Sequence, residues 1–363
     1  MSHGDDYTVR PYDGDREGYL DLYETVFGAR KSREWFAWKY EDNPYADHVP
    51  IYVAQRDGEV VGARSFFGLE LRAGERTYTT LEPCDTMVHP DHRRRGLFTR
   101  MTERAIERYA DDGLDLFFDF PNEQSLPGNL KLGWRVVETV TTHYRVQHPG
   151  ALAPVGEESL VGRALDAAGA TAMDAYFGLR GRRVRRLGRD VTVSHYDGVP
   201  ADHLCPLYES HVPKRFHANR DETFYGWRYD NPEYDYTTYL ARRDGEVVGA
   251  AVVGESAAKG VANVLDVHPL TDRAANAPVY AALLRSLLQD VSAIPLVALR
   301  DGVVPPRVLS GFGFHPDTAL PLSKLTEPAT LVARPLEDEW TLDGRSLTDP
   351  RDWQVSICEK DTA

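Results

Sequence analysis

Apolar and polar positions along the first 146 residues follow a regular succession of helical and strand periods. Thr8–Tyr12 reads as a short strand, and Asp15–Phe27 places Tyr19, Leu20, Tyr23 and Phe27 on one helical face. Ser32 is placed to cap a second helix carrying Trp35, Phe36 and Trp38, which ends before Asn43-Pro44. Ile51–Ala54, Val60–Leu71 and Tyr78–Val88 read as strands, the first two joined by a hairpin turn at Asp57-Gly58. Gly96–Ala110 reads as a helix, Leu114–Phe120 as an apolar strand, Asn122–Leu132 as a short helix and Trp134–Val146 as a returning strand. The order βααβββαβαβ predicts a mixed central sheet flanked by helices.

The same succession then recurs. Arg56–Ala63 (RDGEVVGA) is repeated without change at Arg243–Ala250, and the Trp38–Pro44 block is answered by Trp227–Pro232. Thr8–Gly14 is answered by Thr192–Gly198, Val88-His89-Pro90 by Val267-His268-Pro269, and Gly133-Trp134 by Gly313-Phe314. The offset stays between 179 (Val88 to Val267) and 189 (Trp38 to Trp227), so the chain holds two copies of one domain in register. The boundaries drawn are a first domain at 1–147, a linker at 148–189, a second domain at 190–322 and a tail at 323–363 that is expected to pack on the second copy. The linker is expected to contain a helix, and it carries Arg180, Arg182, Arg183, Arg185, Arg186 and Arg189, a basic cluster read either as a solvated helix end or as a site for an acidic ligand.

Composition narrows the classes of function. A net charge of −14 disfavours duplex nucleic acid as a partner and favours cationic ones. Acidic residues abound, while 7 Lys stand against 35 Arg; this suits a high-salt interior or an ordinary acidic enzyme alike. No apolar run reaches membrane-spanning length and the opening residues lack a leader pattern, so a soluble cytoplasmic monomer or homodimer is the expectation. Cys84, Cys205 and Cys358 lie far apart, without metal-ligand spacing, and His89, His92, His143 and His148 form no triad or metal pattern. No metal is expected.

The chemistry concentrates in Met87–Met101. Arg93-x-x-Gly96-x-Phe98 follows a strand and opens the helix that carries Leu97, Met101 and Ile106. A helix start offers unpaired N–H groups and a positive dipole end, Gly96 lets a backbone approach, and Arg93, Arg94 and Arg95 add charge, so the segment suits a pyrophosphate. It resembles the [Q/R]-x-x-G-x-[G/A] motif of the GNAT superfamily of N-acetyltransferases, with Phe98 as a departure. Asn122-x-x-Ser125-x-x-x-Asn129-x-x-x-Gly133-Trp134 is similar to that family's second signature with its spacing intact, although Asn129 replaces the usual Tyr.

The resemblance implies tandem GNAT folds and acetyl-CoA as co-substrate, without metal. It implies a cofactor site formed by Met87, Val88, Arg93, Arg94, Arg95, Gly96, Leu97, Phe98, Asn122 and Ser125, in which the amides of Met87 and Val88 meet the pantetheine and Asn122 bonds it. Asn122 is equally a plausible helix cap. Glu82, eleven residues before Arg93, is the expected general base, with Asp85 as the alternative on the opposite strand face. The family's Tyr is the acid that reprotonates the departing thiolate, so that role is open here. Trp35, Trp38 and Tyr45 read as core or as acceptor-cleft walls. In the second copy Asp272 stands at the place of Arg93, Ala274 at Arg95 and Ala275 at Gly96, so that copy is degenerate and expected to bind no cofactor, though it could wall the acceptor pocket. The implied reaction is acetyl transfer to the primary amine of a small molecule or peptide. The alternatives are a FemABX-like aminoacyltransferase and a non-catalytic acyl-CoA-binding protein.

Overall fold

The computed structural model describes residues 7–148, 181, 184–256, 260–320, 322–324 and 326–361. The helix expected in the linker, and Arg180, Arg182 and Arg183, lie outside them.

The first copy forms as its local signals require. After β1 (Thr8–Pro11), the Asp15 side chain accepts from the Gly18 N–H at 2.9 Å to start α1 (Arg16–Phe27), and Gly28 at φ +82° ends it. The Ser32 hydroxyl accepts from the Trp35 N–H at 3.1 Å to start α2 (Arg33–Phe36), which runs on as a wider helical turn to Glu41. Asp57 and Gly58, at φ +53° and +88°, make the tight turn between β2 (Ile51–Arg56) and β3 (Glu59–Ala73). There follow β4 (Arg76–Val88), α3 (Leu97–Asp111), β5 (Leu116–Asp119), α4 (Leu126–Lys131), β6 (Arg135–Val140) and β7 (Thr142–Val146).

The second copy repeats the plan with β8 (Thr192–Asp197), α5 (Ala201–Glu209), β9 (His217–Ala218), α6 (Glu222–Arg228), β10 (Asp235–Arg243), β11 (Glu246–Ser256) and β12 (Val261–His268). After these come α7 (Ala277–Asp290), β13 (Leu296–Arg300), α8 (Pro306–Gly311), β14 (His315–Pro316) and β15 (Ala329–Pro335), then a small hairpin, β16 (Thr341–Leu342) and β17 (Arg345–Ser346).

The two sheets do not respect the boundaries read from the sequence. The first runs β1-β2-β3-β4-β5-β15-β6, with β9 also on β3; the second runs β14-β7-β13-β12-β11-β10-β8. Thus β7 leaves the first copy to pair with β13 and β14, while β15, assigned to the tail, lies between β5 and β6. Each copy lends its partner a strand. The stretch Trp134–Val146, read as one strand, is two strands that belong to different sheets.

Three apolar clusters follow from this arrangement. One lies between α3 and the first sheet, with Phe66, Leu81, Met101 and Phe117; another surrounds α7 on the second sheet. The largest is shared: Tyr19, Trp38 and Phe67 of the first copy pack with Phe216, Trp227 and Leu265 of the second and with Trp353. Trp35 and Trp38 are buried in it and Tyr45 is packed against it, as core rather than cleft wall.

Candidate functional site

The site is made where β4 and β5 part. These parallel strands pair only at Thr80–Leu116 and Leu81–Phe117. Beyond Leu81 β4 bends through a bulge, Asp85 and Thr86 standing opposite Arg64 alone, with Asp85 in the left-handed region at φ +38°. A cleft of about 710 Å³ fills the opening. Its walls include Val88, Arg93 and Phe98 on the α3 side, Pro121, Asn122 and Ser125 before α4, and Asp85, Asp119 and Asp361 at its inner end.

The basic loop holds the outer end of that cleft. Gly96 caps α3 at φ +73°, and the place of a Cβ on it is open space, so backbone is exposed at the helix start. Arg93, Arg94 and Arg95 are exposed around it, and the Arg93 Nε bonds the Val88 carbonyl at 3.3 Å. Leu97 is buried under α3, and the Met87 side chain is buried beneath β4. Phe98 fits because α4 leaves room for it: a Cβ on Gly128 would lie 2.5 Å from its ring. The Asn122 side-chain oxygen caps the turn into α4, accepting from the N–H groups of Gln124 and Ser125 at 3.0 and 2.9 Å and from the Ser125 hydroxyl at 3.1 Å. Its oxygen is therefore committed to capping.

The inner end is a network of buried charge. Lys39 donates to Asp85 at 2.6 Å and to Asp361 at 2.8 Å, over the Trp35 ring. Burial works against its charge, but the two carboxylates outweigh that and hold it well above the usual lysine range. Tyr40 donates its hydroxyl to the same Asp85 oxygen at 2.5 Å. The Cys84, Asp85 and Asp361 ligand atoms cluster within 4.8 Å of one another, and the Lys39 ammonium is the cation seated on both carboxylates. Burial pushes the Cys84 thiol well up, which makes it a packing residue rather than a nucleophile.

The two carboxyls expected as base candidates separate. Asp85 reaches the cleft wall. Glu82 is buried, and one of its oxygens accepts the Asp361 N–H at 2.9 Å. Burial, and then the charges of Asp361 and Asp119, push Glu82 well above the ordinary carboxylate range.

Four participants were missed by sequence reasoning: Arg64, Asp119, Lys39 and Asp361. Arg64 is a buried cation within the Val60–Leu69 stretch of β3, and Asp119 follows the apolar run of β5; such buried charges in strands were the available signal. Arg64 bonds the Thr86 hydroxyl and the Asn129 side-chain oxygen, the latter at 3.0 Å, and Asn129 in turn donates to Asp119 at 2.7 Å. Nothing local in the sequence marked Lys39 or Asp361.

The corresponding opening of the second sheet is filled. β12 and β13 pair as far as Val264–Leu299, and just beyond, the Cys358 N–H bonds the Leu265 carbonyl at 3.2 Å while Arg300 donates to the Ser356 carbonyl at 3.1 Å. Arg220, fully buried, fixes this plug through Asp266 at 2.9 Å and Glu359 at 3.0 Å. The loop before α7 spends its N–H groups on itself, those of Ala275 and Asn276 donating to the Asp272 carbonyl at 3.0 and 3.1 Å. The tail therefore does more than pack on the second copy: it closes that copy's opening and then reaches Glu82 and Lys39 in the first.

Comparison with known proteins agrees with this geometry. Residues 9–137 match the acetyltransferase (GNAT) domain family. A GCN5-related N-acetyltransferase from Kribbella flavida superposes with a TM-score of 0.56 at 14% identity, covering 91% of this chain and 71% of that one. A tandem GNAT protein from the clavulanic acid biosynthesis pathway superposes with a TM-score of 0.53 at 12% identity, over 92% of this chain and 99% of that one. A probable N-acyltransferase from Enterococcus faecalis V583 gives a TM-score of 0.59 at 10% identity, over 91% and 73%. No curated protein matches the sequence. Residues 9–137 thus match a GNAT acetyltransferase domain, and the chain as a whole, with its two mixed sheets, has the fold of tandem GNAT proteins. Among the described residues no helix is long and apolar enough to cross a membrane.

Proposed function

We propose that the protein is an acetyl-CoA-dependent N-acetyltransferase that works in the first copy alone and transfers acetyl to a primary amine. The observation that carries this is the contrast between the two openings: one is a cleft ending at a glycine-started helix with three arginines, and the other is plugged by the chain itself. Pyrophosphate would sit at the N–H groups of Gly96, Leu97 and Phe98, with Arg93, Arg94 and Arg95 as counter-charges. The pantetheine would pass Ser125 and Asn122 and lie against the free edge of β4 at Met87 and Val88. Ternary-complex transfer needs a group that takes the ammonium proton, and Asp85, on the cleft wall, is the better placed of the two candidates. Glu82, buried away from the cleft wall and covered by Asp361, serves to seat the tail.

The acceptor comes from the side of α1, where Val26 and the half-exposed Phe27 line the cleft. Asp85 and Asp361 draw a cationic amine to its inner end.

A screen of amines with acetyl-CoA, read by thiol release at low and high salt, tests the reading. Transfer to an amine supports it. Binding of acetyl-CoA without turnover on any amine would make the chain an acyl-CoA-binding protein, and retention of charged tRNA would point to aminoacyl transfer.

A further inference from the structure

Acetyl transfer from a thioester leaves a thiolate that needs a proton, and Asn129 cannot supply one. The structure shows what Asn129 does instead. It is fully buried, and its amide holds Asp119 by a 2.7 Å hydrogen bond while its oxygen accepts from Arg64 at 3.0 Å. Asp119 ends β5 two residues beyond the last pair with β4, so it stands on the wall of the opening rather than inside the sheet.

Strand alternation decides which side of the opening it serves. Phe117 lies in the cluster beneath α3 and Phe118 in the core shared between the copies, so Asp119, two residues on from Phe117, faces α3 and α4. That is the side of the arginine–glycine loop. Asp85 is held instead by Lys39 and Tyr40, from the α2 side. The cleft thus has one carboxyl towards the acceptor and one towards the cofactor.

We infer that Asp119 is the general acid of the transfer, a catalytic residue held in place by Asn129 and Arg64; this inference rests on the acetyl-transfer reading above. The acceptor nitrogen bonds to the thioester carbonyl carbon, and the carbon–sulfur bond breaks with its electron pair passing to sulfur. The Asp119 carboxyl gives that sulfur its proton, leaving free CoA thiol and an Asp119 carboxylate, which regains a proton from solvent. The acceptor ammonium loses two protons, one before the nitrogen attacks and one from that nitrogen once it is bonded to the acyl carbon, and both leave in turn on the other side, through Asp85 to solvent.

The surroundings suit the task. Burial, with Asp361 adding to it, raises Asp119 to about 7, against the pull of Arg64 and the Asn129 amide. The charged groups that face it are Arg64 on β3, Glu82 on β4, and Lys360 and Asp361 from the tail. A carboxyl raised this far can hold a proton near neutral pH and still give it up readily.

The test compares wild type with Asp119→Asn, whose oxygen can still accept from Asn129, using one amine and two acyl donors: acetyl-CoA and an aryl thioacetate whose thiol needs no proton to leave. The expected result is a kcat about 10²-fold lower with acetyl-CoA, nearly restored with the aryl thioester, and loss of the alkaline limb of the kcat–pH profile. Equal loss with both donors, or wild-type kcat and pH profile with acetyl-CoA, would overturn the inference. Should Asp119→Asn fail to fold, Asn129→Leu serves: removing a donor to the carboxylate moves the alkaline limb to higher pH, and an unmoved limb contradicts the role. No transfer by wild type to any amine would instead overturn the underlying reading, and this inference with it.

Discussion

The indole N–H of Trp38 donates to the carbonyl of Trp227 at 2.9 Å, and the indole N–H of Trp227 donates to the carbonyl of Trp38 at 2.9 Å. The two residues are counterparts in the repeat, and their rings stack at 5.9 Å with 22° between planes. This reciprocal contact lies in the shared core, and the exchange of β7 and β15 repeats the same reciprocity at the level of strands. The copies are therefore parts of one folding unit.

A fragment of residues 1–147 should accordingly not fold alone, because it lacks the strand between β5 and β6 and leaves its own β7 without a sheet. Circular dichroism and denaturant titration should find no cooperative transition in the fragment and a single one in the full chain. A fragment that unfolds cooperatively would show that the exchanged strand is dispensable.

Arg220 is the next point of leverage. Replacing it with Met leaves Asp266 and Glu359 buried without their cation, which costs about 3–5 kcal/mol. Urea unfolding of Arg220→Met measures this; a loss below about 1 kcal/mol would mean that the plug is not held by that charge network.

The two β4 carboxyls should separate in kinetics. Asp85→Asn should lower kcat by ~10²-fold or more with little change in acetyl-CoA affinity. Glu82→Gln, which keeps an oxygen to accept the Asp361 N–H, should stay within a few-fold of wild type. Steady-state rates on both variants decide between them, and the reverse ranking would return the role of base to Glu82.

Asp119 should also be visible in stability. Its folded-state proton affinity is raised from 3.8 to about 7, so the folded protein binds that proton more tightly than the unfolded chain does. The group costs nothing below the unfolded value; the cost grows as pH rises from about 4 and levels off above about 7, reaching up to about 4 kcal/mol. Asp119→Asn should therefore be more stable than wild type at pH 8, with the gap closing towards pH 4. Thermal melts across that range check it, and parallel curves would contradict the assignment.

Much of the fold was legible because it rests on local signals. The cap at Ser32, the Asp57-Gly58 turn and the glycine start of α3 act within a few residues, and each appears where the sequence places it. The strand exchange was not legible, since the period of β15 is the same whichever sheet it joins, and only long-range pairing decides. The same holds at the site. The phosphate-loop residues are contiguous and carry a motif, whereas Lys39, Asp85, Asp119 and Asp361 come from four separate elements and meet only in the folded chain.

Calorimetric titration of the full chain with acetyl-CoA tests the central claim most directly. One molecule should bind per chain, and Gly96→Glu, which puts a carboxylate and a strained side chain at the phosphate end, should abolish binding while the protein remains folded. Two equivalent sites, or affinity that survives Gly96→Glu, would contradict a single acyl-CoA cleft in the first copy.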